Sequence, residues 1–141
     1  MKNLITAIGL MSGTSCDGID ASIIKSDGED IIKIVGNLFF PYKEKTRFKI
    51  RRLKDKIDNI LDLHINALEI SSLEKEITTL HVQATELLIK KFKTNKVEID
   101  LIGFHGQTIF HSFRDKKTKQ LGDGKTLSNL TGLNVVYKFR E

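Results

Sequence analysis

Apolar positions come in short runs near the N-terminus and in a helically spaced pattern through the middle of the chain. Leu4-Ile5-Thr6-Ala7-Ile8 and Ala21-Ser22-Ile23-Ile24 read as two strands. Ile31 to Phe40, rich in Ile, Val and Phe and closed by Pro41, reads as a third. Gly9 to Asp20 joins the first two and holds three glycines, three hydroxyl side chains and two carboxylates in twelve residues. That composition predicts a strand, a tight turn and a returning strand. Asp27-Gly28 supplies the next turn, so the pattern predicts an antiparallel meander.

From Glu44 to Leu63 the spacing becomes helical, with Phe48, Leu53, Ile57, Ile60 and Leu61 near one face. A second helix is predicted from an N-cap at Ser71 or Ser72, with Glu74 and Glu76 in its first turn. Its apolar stripe is Leu73, Ile77, Leu80, Ala84, Leu87, Leu88 and Phe92, and Lys90, Lys91 and Lys93 lie near its end. His81 is expected there as a partly exposed or capped side chain. Val97 to Phe104 predicts a strand running into His105-Gly106-Gln107, a loop at the strand end. A charged loop, Arg114 to Lys119, follows. Lys125 to Leu130 predicts a short helix ended by Gly132, and Val135-Val136-Tyr137 a last strand. Strands, helices and strands again predict an α/β domain with a mixed sheet and flanking helices.

The length of 141 residues suits one core, and 29% charged with 40% hydrophobic residues describes a globular chain. The net charge is +5, and Lys43, Lys45, Arg47, Lys49, Arg51, Arg52, Lys54 and Lys56 form the one dense basic stretch. It reads as a solvated helix face or as a surface for nucleic acid or acidic lipid. A single cysteine, Cys16, allows no internal disulfide and points to a reducing, cytoplasmic setting. Lys2 and an apolar stretch ending at Cys16 have the outline of a lipoprotein leader. The stretch is short, and Gly13-Thr14-Ser15 precedes the cysteine where an aliphatic residue belongs. No window approaches the roughly 20 apolar residues of a membrane span.

The turn after the first strand carries the chemistry. Small residues let a polyanion approach the main chain, and hydroxyls donate to phosphate oxygens. An ordinary Gly-rich hairpin is the other reading. Gly124-Lys125-Thr126 has the tail of a Walker A loop, but Lys119 stands where that loop needs its first glycine. His105 and His111 are evenly spaced and would share a strand face, with Cys16 or Asp123 as a guessed third metal ligand. Asp17, Asp20, Asp100 and Asp123 could form a nuclease-like carboxylate cluster, but the first strand lacks the carboxylate such a site places inside it.

Four motifs occur in order: Gly9 to Asp20, Gly103 to His111, Gln120-Leu121-Gly122-Asp123-Gly124, and Thr131 to Val136. Together they resemble the N-terminal part of the anhydro-N-acetylmuramic acid kinase family, which recycles bacterial cell wall. The resemblance implies a ribonuclease-H-like lobe of the actin and sugar-kinase superfamily, with ATP held between two such lobes. It implies hydrolytic opening of 1,6-anhydro-N-acetylmuramic acid with transfer of phosphate from ATP to the 6-oxygen. Gly13, Thr14, Ser15, Cys16, Asp17, Gly18, Ile19 and Asp20 would be the first phosphate-binding loop. Asp17 or Asp20 would handle Mg²⁺ through water, and His105 and Gln107 would lie near the sugar cleft.

Two departures accompany the resemblance. Met11 stands where superfamily members carry an Asp, and Lys138 stands where the family's Asp-Phe-Arg places its general base. A lysine is cationic near neutral pH and accepts no proton. The family also continues well past the position of Glu141. The expectation is therefore a single lobe, residues 1–141, from a truncated kinase without its C-terminal lobe and without catalysis alone. A separate C-terminal lobe as partner, or a basic nucleic-acid-binding module, are the alternatives.

Overall fold

A computed structural model describes residues 3–141. Lys2, weighed above as part of a leader, lies outside them. Six strands form one mixed sheet: β1 (Ile5–Ser12), β2 (Gly18–Ser26), β3 (Ile32–Pro41), β4 (Leu101–Ser112), β5 (Lys117–Leu121) and β6 (Val135–Tyr137). The order is β3-β2-β1-β4-β5, and β6 pairs with the first part of β4. The expected meander is present, since β1–β2 and β2–β3 are antiparallel. β4 runs parallel to β1 and β6 and antiparallel to β5. Phe104 faces Leu10 on one edge and Tyr137 on the other, while Gln107 faces Ser12 and Leu121. So β5 and β6 share one edge of β4 and leave a gap between them.

Alternation builds the core. Ile8, Leu10 and Ser12 of β1 are buried, whereas Ile5, Gly9 and Met11 are exposed. Ile19, Ala21 and Ile23 of β2 and Ile102 and Phe104 of β4 join the buried set. Helix α1 (Glu44–Asp55) adds Ile50 and Leu53, and α3 (Ala67–Lys91) adds Ile77, Ala84 and Leu88. Each fully buried Ile or Leu among them contributes roughly 1.5–3 kcal/mol. Among the described residues, no helix is long and apolar enough to cross a membrane.

Capping chemistry divides what apolar spacing reads as one helix from Glu44 to Leu63. α1 stops at Asp55, and α2 (Ile60–Ile65) restarts from a capping box. In it the Asn59 side chain accepts from the Asp62 N–H at 3.1 Å, and the Asp62 carboxylate accepts from the Asn59 N–H at 3.2 Å. α3 begins at Ala67, a turn before the expected caps, and Ser71 and Ser72 are exposed residues within it. The strand expected from Val97 starts instead at Leu101, after a 3₁₀ turn over Lys96–Glu98. The loop expected from Arg114 gives way to β5 at Lys117. Helix α4 (Gly124–Thr131), its stop at Gly132 (φ 73°) and β6 match the expectation.

The largest correction concerns Gly106 and Gln107. They form no loop but continue β4, which shifts register against β1 after Phe104 and against β5 after Thr108. Gly106 has φ 82°, and a Cβ there would lie 2.4 Å from the Leu121 carbonyl oxygen. A bulge at this glycine lets β4 serve both neighbours, and a second register shift follows between Thr108 and Phe110.

Candidate functional site

β1 delivers the chain to a tight turn at the end where β1 and β4 both point. The Cys16 N–H donates to the Gly13 carbonyl at 3.2 Å, closing the turn over Thr14 and Ser15. The N–H groups and hydroxyls of Thr14 and Ser15 have no partner among the described residues, and both residues are exposed. Cys16 takes φ 60° and turns inward, where it is buried. Beneath it the Gln107 Nε2 donates to the Gly13 carbonyl at 2.9 Å. Gly18 already belongs to β2, and close approach requires the glycine: a Cβ there would meet the Phe40 carbonyl oxygen at 2.3 Å. Ile19 is core, and Asp20 is exposed opposite Met11.

α1 brings two cations to this turn. Arg47 reaches Asp17 with N···O 3.6 Å, and the Lys54 Nζ donates to the Thr14 carbonyl at 3.2 Å. The two sit seven residues apart, two helical turns, and so share a face. That spacing was the available signal for them. Lys49 and Lys56 pair with Glu76 and Glu69, so much of the basic stretch serves the chain's own carboxylates and loop. Partial burial of Glu76 opposes ionisation, but hydrogen bonds from Lys49 and Thr46 outweigh it and lower its pKa.

Directly under the turn lies a polar cluster that sequence reasoning missed. Ser12 Oγ is 2.8 Å from the Tyr42 hydroxyl and 3.0 Å from His81 Nε2. Of the two expectations for His81, partly exposed or capped, the first fails: it is fully buried, with both ring nitrogens partnered and its ring centroid 4.8 Å from that of Phe104. Burial lowers the His81 pKa to about 4, despite the bond from its ring to the Ile77 carbonyl. Burial likewise raises the Tyr42 hydroxyl pKa. The signal for His81 was its register with Ile77, Ala84 and Leu88 on one helical stripe.

A second feature fills the gap between β5 and β6. It is a cavity of about 320 Å³ whose lining includes His105, Gly122, Asp123, Tyr137, Lys138 and Arg140. The Arg140 Nε donates to His105 Nε2 at 3.0 Å, which places the imidazole proton on Nδ1, 3.1 Å from the Gly106 carbonyl. Asp123 caps α4 and accepts from the Thr126 hydroxyl at 2.7 Å and from backbone N–H groups, which lowers its pKa. Lys138 is exposed at φ 63°, with Nζ 3.2 Å from a Glu141 carboxylate oxygen.

The expected site residues thus divide. Gly13 to Asp17 form the turn, while Gly18, Ile19 and Asp20 lie in β2. His105 lines the cavity, and Gln107 turns its amide to the turn instead. Asp100 accepts from the Thr6 N–H at 2.8 Å, at the far end of β1 from Asp17, about 20 Å away at strand rise. The four aspartates therefore form no cluster. No metal-holding group of three or more His, Cys, Asp or Glu occurs among the described residues.

Comparison with known proteins gives a consistent result. A family model described as anhydro-N-acetylmuramic acid kinase matches residues 5–141. A protein of that name from Pelagibacter ubique is 46% identical over 141 residues, covering 100% of this chain and 37% of the relative. One from Rhizobium etli is 38% identical over 135 residues, 96% of this chain and 36% of its own length. One from Agrobacterium fabrum is 35% identical over 140 residues, 99% and 38%. The chain spans little more than a third of the length of these relatives.

Proposed function

The chain belongs to the anhydro-N-acetylmuramic acid kinase family, and we propose that it forms the phosphate-gripping wall and part of the sugar pocket of such a kinase. The reaction is phosphorylation of 1,6-anhydro-N-acetylmuramic acid by ATP with ring opening, to N-acetylmuramic acid 6-phosphate, in cytoplasmic cell-wall recycling. The observation that carries the reading is the exposed Gly13–Asp17 turn at the C-terminal end of parallel β1 and β4. Ligands of open α/β sheets bind there. Free N–H groups and hydroxyls at Thr14 and Ser15, with Arg47 and Lys54 beside them, suit the charge and geometry of a polyphosphate. Asp17 and Asp20 are the exposed carboxylates that would hold Mg²⁺ through water. The ion would neutralise phosphate charge.

The cavity beside β6 is the sugar subsite in this reading, with His105 and Arg140 on its wall. Lys138 lines it where the family resemblance expects a carboxylate base. An ammonium group takes no proton from the attacking water, so this chain binds its ligands without turning them over. Amide NMR titration of the 141-residue chain with ATP and Mg²⁺ tests the reading. Shifts confined to residues 13–20 and neighbouring α1 amides are expected, and the same sample with 1,6-anhydro-N-acetylmuramic acid then added should form no sugar phosphate. Shifts elsewhere only would overturn the loop assignment, and product at an enzyme-like rate would overturn the role given to Lys138.

A further inference from the structure

One residue grips the turn at both ends. Tyr42 lies between β3 and α1 and is 4% exposed. Its backbone N–H donates to the Asp17 carbonyl at 2.8 Å, and its hydroxyl is 2.8 Å from Ser12 Oγ. Ser12 ends β1 and Asp17 precedes β2, so these two bonds close across the neck of the loop.

The direction of each bond behind Tyr42 follows from donor and acceptor chemistry. His81 Nδ1 lies 2.7 Å from the Ile77 carbonyl, which can only accept, so the ring proton is on Nδ1. Nε2 then accepts from the Ser12 hydroxyl at 3.0 Å. Ser12 Oγ, with its own proton donated in the bond to the ring nitrogen, accepts from Tyr42. The chain runs Tyr42 to Ser12 to His81 to the α3 backbone, and every hydroxyl and ring proton is placed.

Filling a core does not require this. Apolar side chains of similar volume would pack without partners, and a buried polar chain stabilises only while every member is satisfied. What such a chain adds is orientation, because one geometry satisfies all its bonds and others leave a buried donor unpaired. The residue so oriented is Ser12, immediately before Gly13.

We propose that Tyr42, acting through Ser12 and His81, is a positioning residue that holds the Gly13–Asp17 loop in its phosphate-accepting shape. The proposal rests on reading that loop as a phosphate cradle.

The test is Tyr42→Phe in the full 141-residue chain, which keeps the ring and the backbone bond to Asp17 and removes only the hydroxyl. Sodium tripolyphosphate is the probe, read on backbone amides by NMR. Its Kd is expected to rise about tenfold, the size of one lost hydrogen bond. The Cys16 amide should exchange with solvent about tenfold faster, while α3 and β2 amides keep their protection. Ser12→Ala should weaken binding as much and move the His81 Nε2 nitrogen resonance to that of an unbonded imidazole. Unchanged affinity and loop exchange in Tyr42→Phe would overturn the proposal. So would faster exchange spread evenly over the sheet, which marks a structural role alone. If tripolyphosphate moves no loop amide of the unsubstituted chain, the cradle reading fails instead, and the exchange comparison still decides whether Tyr42 shapes the loop.

Discussion

The neck of the Gly13–Asp17 loop and the cavity beside β6 lie on neighbouring strands, yet one is held by buried hydrogen bonds and the other is rimmed by exposed charge. Ser12, Tyr42 and His81 are each under 5% exposed, and Gln107, which ties down the Gly13 carbonyl, is fully buried. At the cavity, Lys138 pairs with Glu141 where both side chains are more than half exposed. Buried bonds in low dielectric fix one geometry and penalise departures from it. Exposed pairs are screened and are each worth 1 kcal/mol or less, roughly. The loop is therefore preorganised, whereas the cavity rim can rearrange around what it receives.

Four substitutions, one of them a control, probe that contrast, and the largest effect belongs to the glycine between the two regions. Gly106→Ala puts a Cβ 2.4 Å from the Leu121 carbonyl oxygen at φ 82°. Strain and the clash together should lower stability by about 3 kcal/mol or more, measured by denaturant unfolding. Gly28 has a similar φ of 80° but nothing within 4 Å of a Cβ, so Gly28→Ala should lose only about 1 kcal/mol. Equal losses would mean that β4 does not depend on its bulge.

The next effect is acid sensitivity at the loop neck. His81 titrates at about 4 when folded and at 6.5 in its ordinary state. Its folded pKa is depressed, so the unfolded chain takes up the proton first as pH falls. Stability is therefore fully present above pH 6.5 and is lost progressively down to about pH 4, by roughly 3 kcal/mol. Ser12 and the uncharged Phe104 lie against the ring, and Tyr42, bonded to Ser12, stays protonated throughout that range. His81→Gln should start less stable and flatten the curve over this interval. A slope that survives the substitution would place the acid sensitivity elsewhere.

The smallest effect is expected at the cavity. Lys138→Asn removes the ammonium and its pairing with Glu141, and asparagine tolerates a positive φ. Thermal unfolding should show a change within about 0.5 kcal/mol. A loss above about 1 kcal/mol would mean the rim is as tightly held as the loop neck.

Local chemistry was legible in the residues, and its long-range consequences were not. Alternating apolar runs and Gly-rich turns marked β1 to β3, while Gly132 marked the end of α4. The capping box at Asn59 was present in the letters, yet apolar spacing running through it read as one helix. The turn at Gly13–Asp17 could be read from its glycines and hydroxyls, but not the residues that hold it. Ser12, Tyr42 and His81 lie on three separate elements, and nothing local says that they meet. His81 shared the buried stripe of α3, but nothing in its spacing says that a serine hydroxyl from β1 faces it. The bulge was hidden for a related reason, since the use of Gly106 depends on the Leu121 carbonyl of β5.

The bonds that finish the loop join residues at steadily growing distances along the chain. Ser12 meets Tyr42 across 30 positions and His81 across 69, and Gly13 meets Gln107 across 94. A ribosome adds residues at ~5–20 per second, so some 5–20 s separate synthesis of the hairpin from that of its floor. The hairpin itself can zip within microseconds. During translation β1 would wait with one edge unpaired, its neck tied first by the tyrosine and then by the histidine. The nascent chain would thus assemble the neck of this loop in order of emergence, with the parallel strand as the closing step.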